Sequence, residues 1–253
     1  QKTASEIMPS LVGSEMCIRD RFYFLCGCKG INISWAEQIF RQINAEFCTF
    51  FCFMCTKIEI IMKKIAILAS GEGTNTERII RYFLEKRTAE VALVIVNKAQ
   101  AGVLKRAERL SVPSLILTAQ EFADGKVLET LHQYHIDFIV LAGFLLKVPD
   151  AILHDYPNKI VNIHPALLPK FGGKGMYGSR VHQAVIASHE KKSGITIHYI
   201  NEQYDEGNTI FQATCPVLPT DTPDTLATRV HQLEYEYFPR VIEATILGKN
   251  LSI

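Results

Sequence analysis

Asn162 and His164 stand two residues apart in the run Val161-Asn162-Ile163-His164-Pro165-Ala166-Leu167-Leu168-Pro169. On an extended strand, residues two apart project to the same face. Pro165 has no amide hydrogen and ends the strand, so both side chains fall at its carboxyl end. A carboxamide beside an imidazole suits acyl transfer. Asn162 can donate to a developing oxyanion, and His164 can give or take a proton near neutral pH. A lone histidine is more often satisfied by local backbone; the neighbouring carboxamide is what favours chemistry here. A third group, Asp205, lies in Glu202-Gln203-Tyr204-Asp205-Glu206-Gly207. An acid there could orient His164 and favour its charged form. An Asx-type turn before Gly207 reads the same way, and spacing alone does not bring Asp205 to His164.

A second constellation is Ser70-Gly71-Glu72-Gly73-Thr74-Asn75, directly after the apolar run Ile65 to Ala69. Two glycines allow a tight turn and close backbone approach. Thr74 and Asn75 add polar hydrogens at the start of a helix, whose free amides make a ready anion site. A dinucleotide fingerprint fits poorly: Thr76 occupies the third glycine position, and Asn97 stands where a ribose-binding acid is expected. No Gly-Lys-Ser/Thr follows, so it is not a Walker loop. The plain alternative is a strand-to-helix turn.

The elements that must position these groups alternate. Lys63 to Ala69 reads as a buried strand and Thr76 to Lys86 as a helix with Ile79, Ile80 and Phe83 on one face. Val91 to Val96, Ser114 to Leu117, Phe138 to Ala142 and Ile160 to Ile163 read as strands. Ala101 to Leu110 and Glu121 to Tyr134 read as helices, and Pro149 starts another. This pattern predicts an α/β fold: a Rossmann-like open, mostly parallel sheet with helices on both faces. After Pro165 the pattern changes. A helix is expected over Ser179 to Ser188, then alternating runs Ile195 to Ile200 and Thr209 to Val217, which read as antiparallel strands added late. A long helix from Thr222 to Leu247 ends at Gly248. Ligands of such sheets bind beyond the carboxyl ends of the strands, where the first loop and Asn162/His164 both fall.

The chain has 253 residues, with 27 Lys+Arg against 26 Asp+Glu, a balance that argues against a nucleic-acid module held by a basic face. A hydrophobic content of 48% excludes a largely disordered chain, and no apolar run is long enough to span a membrane. Composition breaks near residue 61. Six of seven cysteines (Cys17, Cys26, Cys28, Cys48, Cys52 and Cys55) precede it, and all eight histidines follow it. The early cysteine spacings match no common structural zinc site, and nothing else supports a disulfide framework. Met8 to Arg21, MPSLVGSEMCIRDR, resembles translated sequencing-adapter sequence, and 22–61 reads as translation upstream of a start at Met62. We therefore expect two parts: 1–61, a non-native or disordered extension, and 62–253, a catalytic domain.

SGEGTN at 70–75, LAGF at 141–144, NIHPALLPKFGGKGMYG at 162–178 and YDEG at 204–207 occur in one order and spacing. Together they resemble the folate-dependent phosphoribosylglycinamide formyltransferase family, across essentially all of 62–253 and none of 1–61. The resemblance implies transfer of a formyl group from 10-formyltetrahydrofolate to the amine of glycinamide ribonucleotide, in purine synthesis. It implies a catalytic trio of Asn162, His164 and Asp205, with Gly73, Thr74 and Asn75 on the substrate phosphate. Glu234 matches a residue that contacts the ribonucleotide. Leu145, Leu146, Lys147 and Val148, with Asn162, match positions that hold the folate. The implied enzyme is cytoplasmic, a monomer or homodimer, and needs no metal, nucleic acid or membrane.

The chain departs from many relatives in several places. Ala166 and Thr74 stand where serines are common. An arginine of the folate segment is replaced near Leu146 and Lys147, where Lys147 could supply the charge. The stretch Phe171 to Ser179 is longer and richer in glycine, as a lid or an insertion would be. Three rival readings share features of this core. A 10-formyltetrahydrofolate hydrolase normally adds an N-terminal regulatory domain, which 1–61 does not resemble. A methionyl-tRNA formyltransferase usually adds an RNA-binding domain. A nucleotide-binding module with a decayed site would not be expected to retain Asn162, His164 and Asp205 together.

Overall fold

The computed structural model describes residues 62–249. The expectation for 1–61, including its cysteine clusters, lies outside the described residues.

Lys63–Ala69 forms β1, the centre of the molecule. Its side chains are buried on both faces: Ile65, Ile67 and Ala69 enter one core, Ala66 and Leu68 the other. That is why it reads as a continuous apolar run instead of an alternating one. The chain continues through α1 (Thr74–Lys86), β2 (Ala89–Val96), α2 (Val103–Arg109) and β3 (Ser114–Ile116). It then returns through α3 (Ala119–Ala123), α4 (Lys126–Gln133), β4 (Phe138–Leu141), α5 (Asp150–Asp155) and β5 (Ile160–His164). The last elements are α6 (Ser179–Ala187), β6 (Lys192–Tyr199), β7 (Thr209–Pro216) and α7 (Pro223–Leu247).

The sheet has seven strands in the order β3-β2-β1-β4-β5-β6-β7. The first five are parallel, and β6 and β7 are added antiparallel, as expected. One core packs α1, α2, α6 and α7 on the sheet; the other packs α3, α4 and α5. The strand order reverses between β1 and β4, which makes that point the natural ligand crevice.

One expected element is split. The helix read over Glu121 to Tyr134 is two helices, because Gly125 takes a left-handed φ of 84° between them. Thr118 starts the first with a capping box to Glu121. The strand read as Ile160 to Ile163 extends through His164. Helix α7 is capped at its start by Thr222, whose side chain accepts from Thr225 N–H, and at its end by left-handed Gly248. Its buried face runs Leu226, Val230, Glu234, Phe238 at steps of four. Glu234 is therefore the one acid of a core-facing stripe.

Candidate active site

A cleft of about 960 Å³ opens beyond the carboxyl ends of β1, β4 and β5. Gly73, Thr74 and Asn75 line one side, and Leu145, Leu146, Lys147 and Val148 another. Asn162, His164, Asp205 and Glu234 also line it, so the residues put forward for catalysis and for substrate and folate binding border the same space. The loops after β1 and β4 are tied to each other: Ser70 N–H donates to Gly143 O at 3.1 Å, and Leu145 N–H donates to Ser70 Oγ at 3.0 Å. Ser70 is thus a positioning residue that the sequence reading missed. Val148 is buried, while Leu145 is 41% exposed. Lys147 Nζ meets Asp150 Oδ1 at 3.1 Å in an exposed pair, a contact of small energetic weight.

β5 sets Asn162 and His164 on one face, and β6 supplies their partner. Asn162 pairs in register with His198 across the antiparallel ladder. The His198 Nδ1–H donates to Tyr199 O at 2.8 Å, and Nε2 lies 3.1 Å from Asn162 Nδ2. His198 is fully buried. It was not singled out from sequence; its signal was a histidine inside an apolar strand pattern, one element away from Asn162.

The loop between β6 and β7 carries Asp205 to His164, which spacing alone could not establish. Asp205 Oδ2 lies 3.5 Å from His164 Nδ1, and Oδ1 lies 3.6 Å from His198 Nε2. Gly173 N–H donates to Asp205 Oδ2 at 2.9 Å. His164 Nε2–H donates to Phe171 O at 2.8 Å. A carbonyl only accepts, so Nε2 carries the proton and Nδ1 faces the carboxylate. The glycine-rich stretch after Pro169 therefore closes on both the imidazole and the acid.

Charge in this cluster runs against one expectation. Burial lowers the His164 pKa below its ordinary value, and the upward pulls of Asp205 and the Phe171 carbonyl only partly offset it. Asp205 favours the imidazolium, as expected, but desolvation of a ring that is 3% exposed is the larger effect. Asp205 itself stays below the usual carboxylate value. Burial pushes it up, and His198, His164 and the Gly173 N–H together pull it further down.

Across the cleft, Asn75 Nδ2 donates to Glu234 Oε2 at 2.8 Å. Burial raises the Glu234 pKa, with Asn75 and His231 opposing. His182, on α6, is 2% exposed and lines the same cleft. Burial, then the neighbouring His231 and His164, lower its pKa to about 4. Cys215 is buried in β7 as a packing residue. Among the described residues there is no group of three or more metal-ligating side chains, and no helix long and apolar enough to cross a membrane.

Residues 63–242 match the formyl transferase family. The chain is 38% identical over 189 residues to the chloroplastic phosphoribosylglycinamide formyltransferase of Arabidopsis thaliana, covering 72% of this chain and 65% of that protein. It is thus matched to just under two thirds of the plant relative's own length. It is 36% identical over 195 residues to phosphoribosylglycinamide formyltransferase of Bacillus subtilis, covering 75% of this chain and 97% of the other. The solved structure of glycinamide ribonucleotide transformylase 1 from Symbiobacterium toebii superposes with a TM-score of 0.69 at 34% identity, over 74% of this chain and 89% of that one. With the fold, the cleft and these likenesses in agreement, the chain belongs to the formyl transferase family.

Proposed function

We propose that this protein transfers the formyl group of 10-formyltetrahydrofolate to the amine of glycinamide ribonucleotide, and that residues 62–253 carry the activity. One observation supports the reading most: Asn162, His164 and Asp205 share a cleft with a glycine loop at a helix N-terminus. The first set suits acyl transfer and the second suits a phosphate. Gly73, Thr74 and Asn75 take the ribonucleotide phosphate in this reading, and Glu234 contacts the ribonucleotide while bracing Asn75. The backbone of Leu145 to Val148 receives the folate, with Asn162 beside the formyl group. The residues fit an organic donor: one wall is the apolar segment Phe144 to Leu146, and Asn162 and His164 border it.

The substrate amine attacks the formyl carbon, forming a new C–N bond and a tetrahedral oxyanion. Asn162 keeps a second Nδ2–H to donate to that oxygen, worth about 3–4 kcal/mol in comparable sites, and protonated His164, whose ring nitrogens face Phe171 O and Asp205, stabilises it by its charge. As the oxyanion collapses, the bond from carbon to the folate nitrogen breaks. The proton lost by the attacking amine goes to that departing nitrogen through His164 or water. Asp205 favours the imidazolium against the burial that opposes it. The reading extends to a cytoplasmic enzyme, monomer or homodimer, acting on two small molecules.

Purified protein supplied with both substrates is expected to make the formylated ribonucleotide. Release of formate at a rate indifferent to the ribonucleotide would overturn this reading in favour of a folate hydrolase.

A further inference from the structure

Helix α2 grips the glycine loop through two successive carbonyls. Val103 N–H donates to Gly71 O at 3.2 Å, and Arg106 Nε–H donates to Glu72 O at 2.7 Å. In a trans peptide, the carbonyl of one residue and the N–H of the next point in opposite directions. With both carbonyls turned to α2, the N–H groups of Glu72 and Gly73 are turned away from it. That leaves them on the side of the cleft these two residues line. Among the described residues neither N–H has an acceptor. The loop has little freedom to turn back. Gly73 holds a left-handed φ of 74°, and a Cβ there would meet Val103 at 2.4 Å. The Glu72 carboxylate lies over Gly102, on the α2 side.

The same guanidinium has a second partner. Arg106 also binds Glu77, in the first turn of α1, and Arg81 and Arg109 reach that carboxylate at 2.9 and 2.7 Å. An acid in a first turn suits the helix dipole, but beside an anion-binding loop it would repel a phosphate. Three guanidinium groups against one carboxylate reverse the local sign. Arg106 and Arg81, as the main hydrogen-bond donors, hold Glu77 at a pKa of about 2, so the carboxylate stays charged and bound.

We propose that Arg106 is a positioning residue of the phosphate loop, aiming the Glu72 and Gly73 amides into the cleft and leading a cationic collar that cancels Glu77. Arg106 does not line the cleft, so it acts through the loop, not by touching substrate. The inference rests on the ribonucleotide reading above and assigns its phosphate monoester to this loop.

The test is steady-state kinetics of the full chain carrying R106A, R106K, or R106A with E77Q. R106A is expected to raise KM for the ribonucleotide about tenfold, leaving kcat and the folate KM within about twofold. R106K keeps a charge and one donor, and recovers part of the loss. The double variant binds ribonucleotide more tightly than R106A, because the uncancelled carboxylate is gone. If R106A does not fold, the R106K value decides, since it too must raise the ribonucleotide KM selectively. An unchanged ribonucleotide KM, or an equal loss in kcat and both KM values, overturns the inference. If the wild type shows no ribonucleotide-dependent turnover, the functional reading falls by itself. Titration with inorganic phosphate then decides the inference, since R106A and R106K must weaken that binding and an unchanged affinity overturns it.

Discussion

His164 is held from two sides, by the Phe171 carbonyl on Nε2 and Asp205 on Nδ1, in a pocket that burial makes unfavourable for its charge. The catalytic proposal needs that charge, so Asp205 is the group to test. In D205N the upward pull on His164 is gone and its pKa falls further. The imidazolium is then lost at lower pH as pH rises, and the alkaline limb of the kcat/KM profile should move to lower pH. A limb that stays in place would detach Asp205 from the protonation of His164. H164A is expected to lower kcat by about 10²–10⁴-fold, with each KM changed only a few-fold. N162A removes the oxyanion donor and should cost about 10²–10³-fold in kcat.

Between elements, the antiparallel addition of β6 and β7 is what brings His198 and Asp205 to β5. The two strands approach closely at Gly194, where a Cβ would lie 1.9 Å from Ala213 O. Backbone cannot yield as a side-chain tip does. G194A is therefore expected to cost about 2–3 kcal/mol or more in chemical denaturation, with activity lost as the strand pair shifts. Helix α6 contributes a different sensitivity. His182 has a folded pKa of about 4, below its ordinary 6.5. Below pH 6.5 the unfolded chain takes a proton that the folded chain refuses. Stability from this residue is complete above that pH and is lost as pH falls toward 4. Compared with H182Q, the wild type should lose about 3 kcal/mol across that window. Parallel urea midpoints for the two proteins from pH 7 to pH 4 would reveal a missing burial penalty.

At the scale of the whole molecule, the described sheet carries a core on each face, and all the proposed site residues fall within 62–249. A protein beginning at Met62 is expected to keep the thermal midpoint and kcat/KM of the full chain. A fall of tenfold in kcat/KM would assign residues 1–61 a part in the activity.

Sequence by itself determined the alternation of elements, because the period of apolar residues is a local property of strands and helices. It also determined that Asn162 and His164 share a face at a strand end, since two residues apart on a strand leave no other outcome. Glycine spacing marked the loop after β1, and motif order marked the family. What it misread was also local: Gly125 divides a helix that the apolar pattern alone would run through. Only the tertiary structure decided the distances that join separate elements. Asp205 meets His164, His198 meets Asn162, Glu234 meets Asn75, and Arg106 meets Glu72, with separations along the chain from 34 to 159 residues where a hydrogen bond records them. Such contacts depend on strand order and register, which no local pattern encodes. The sign of the His164 shift was decided the same way. Desolvation is set by everything packed around a ring, whereas the attraction of one carboxylate could be named from sequence.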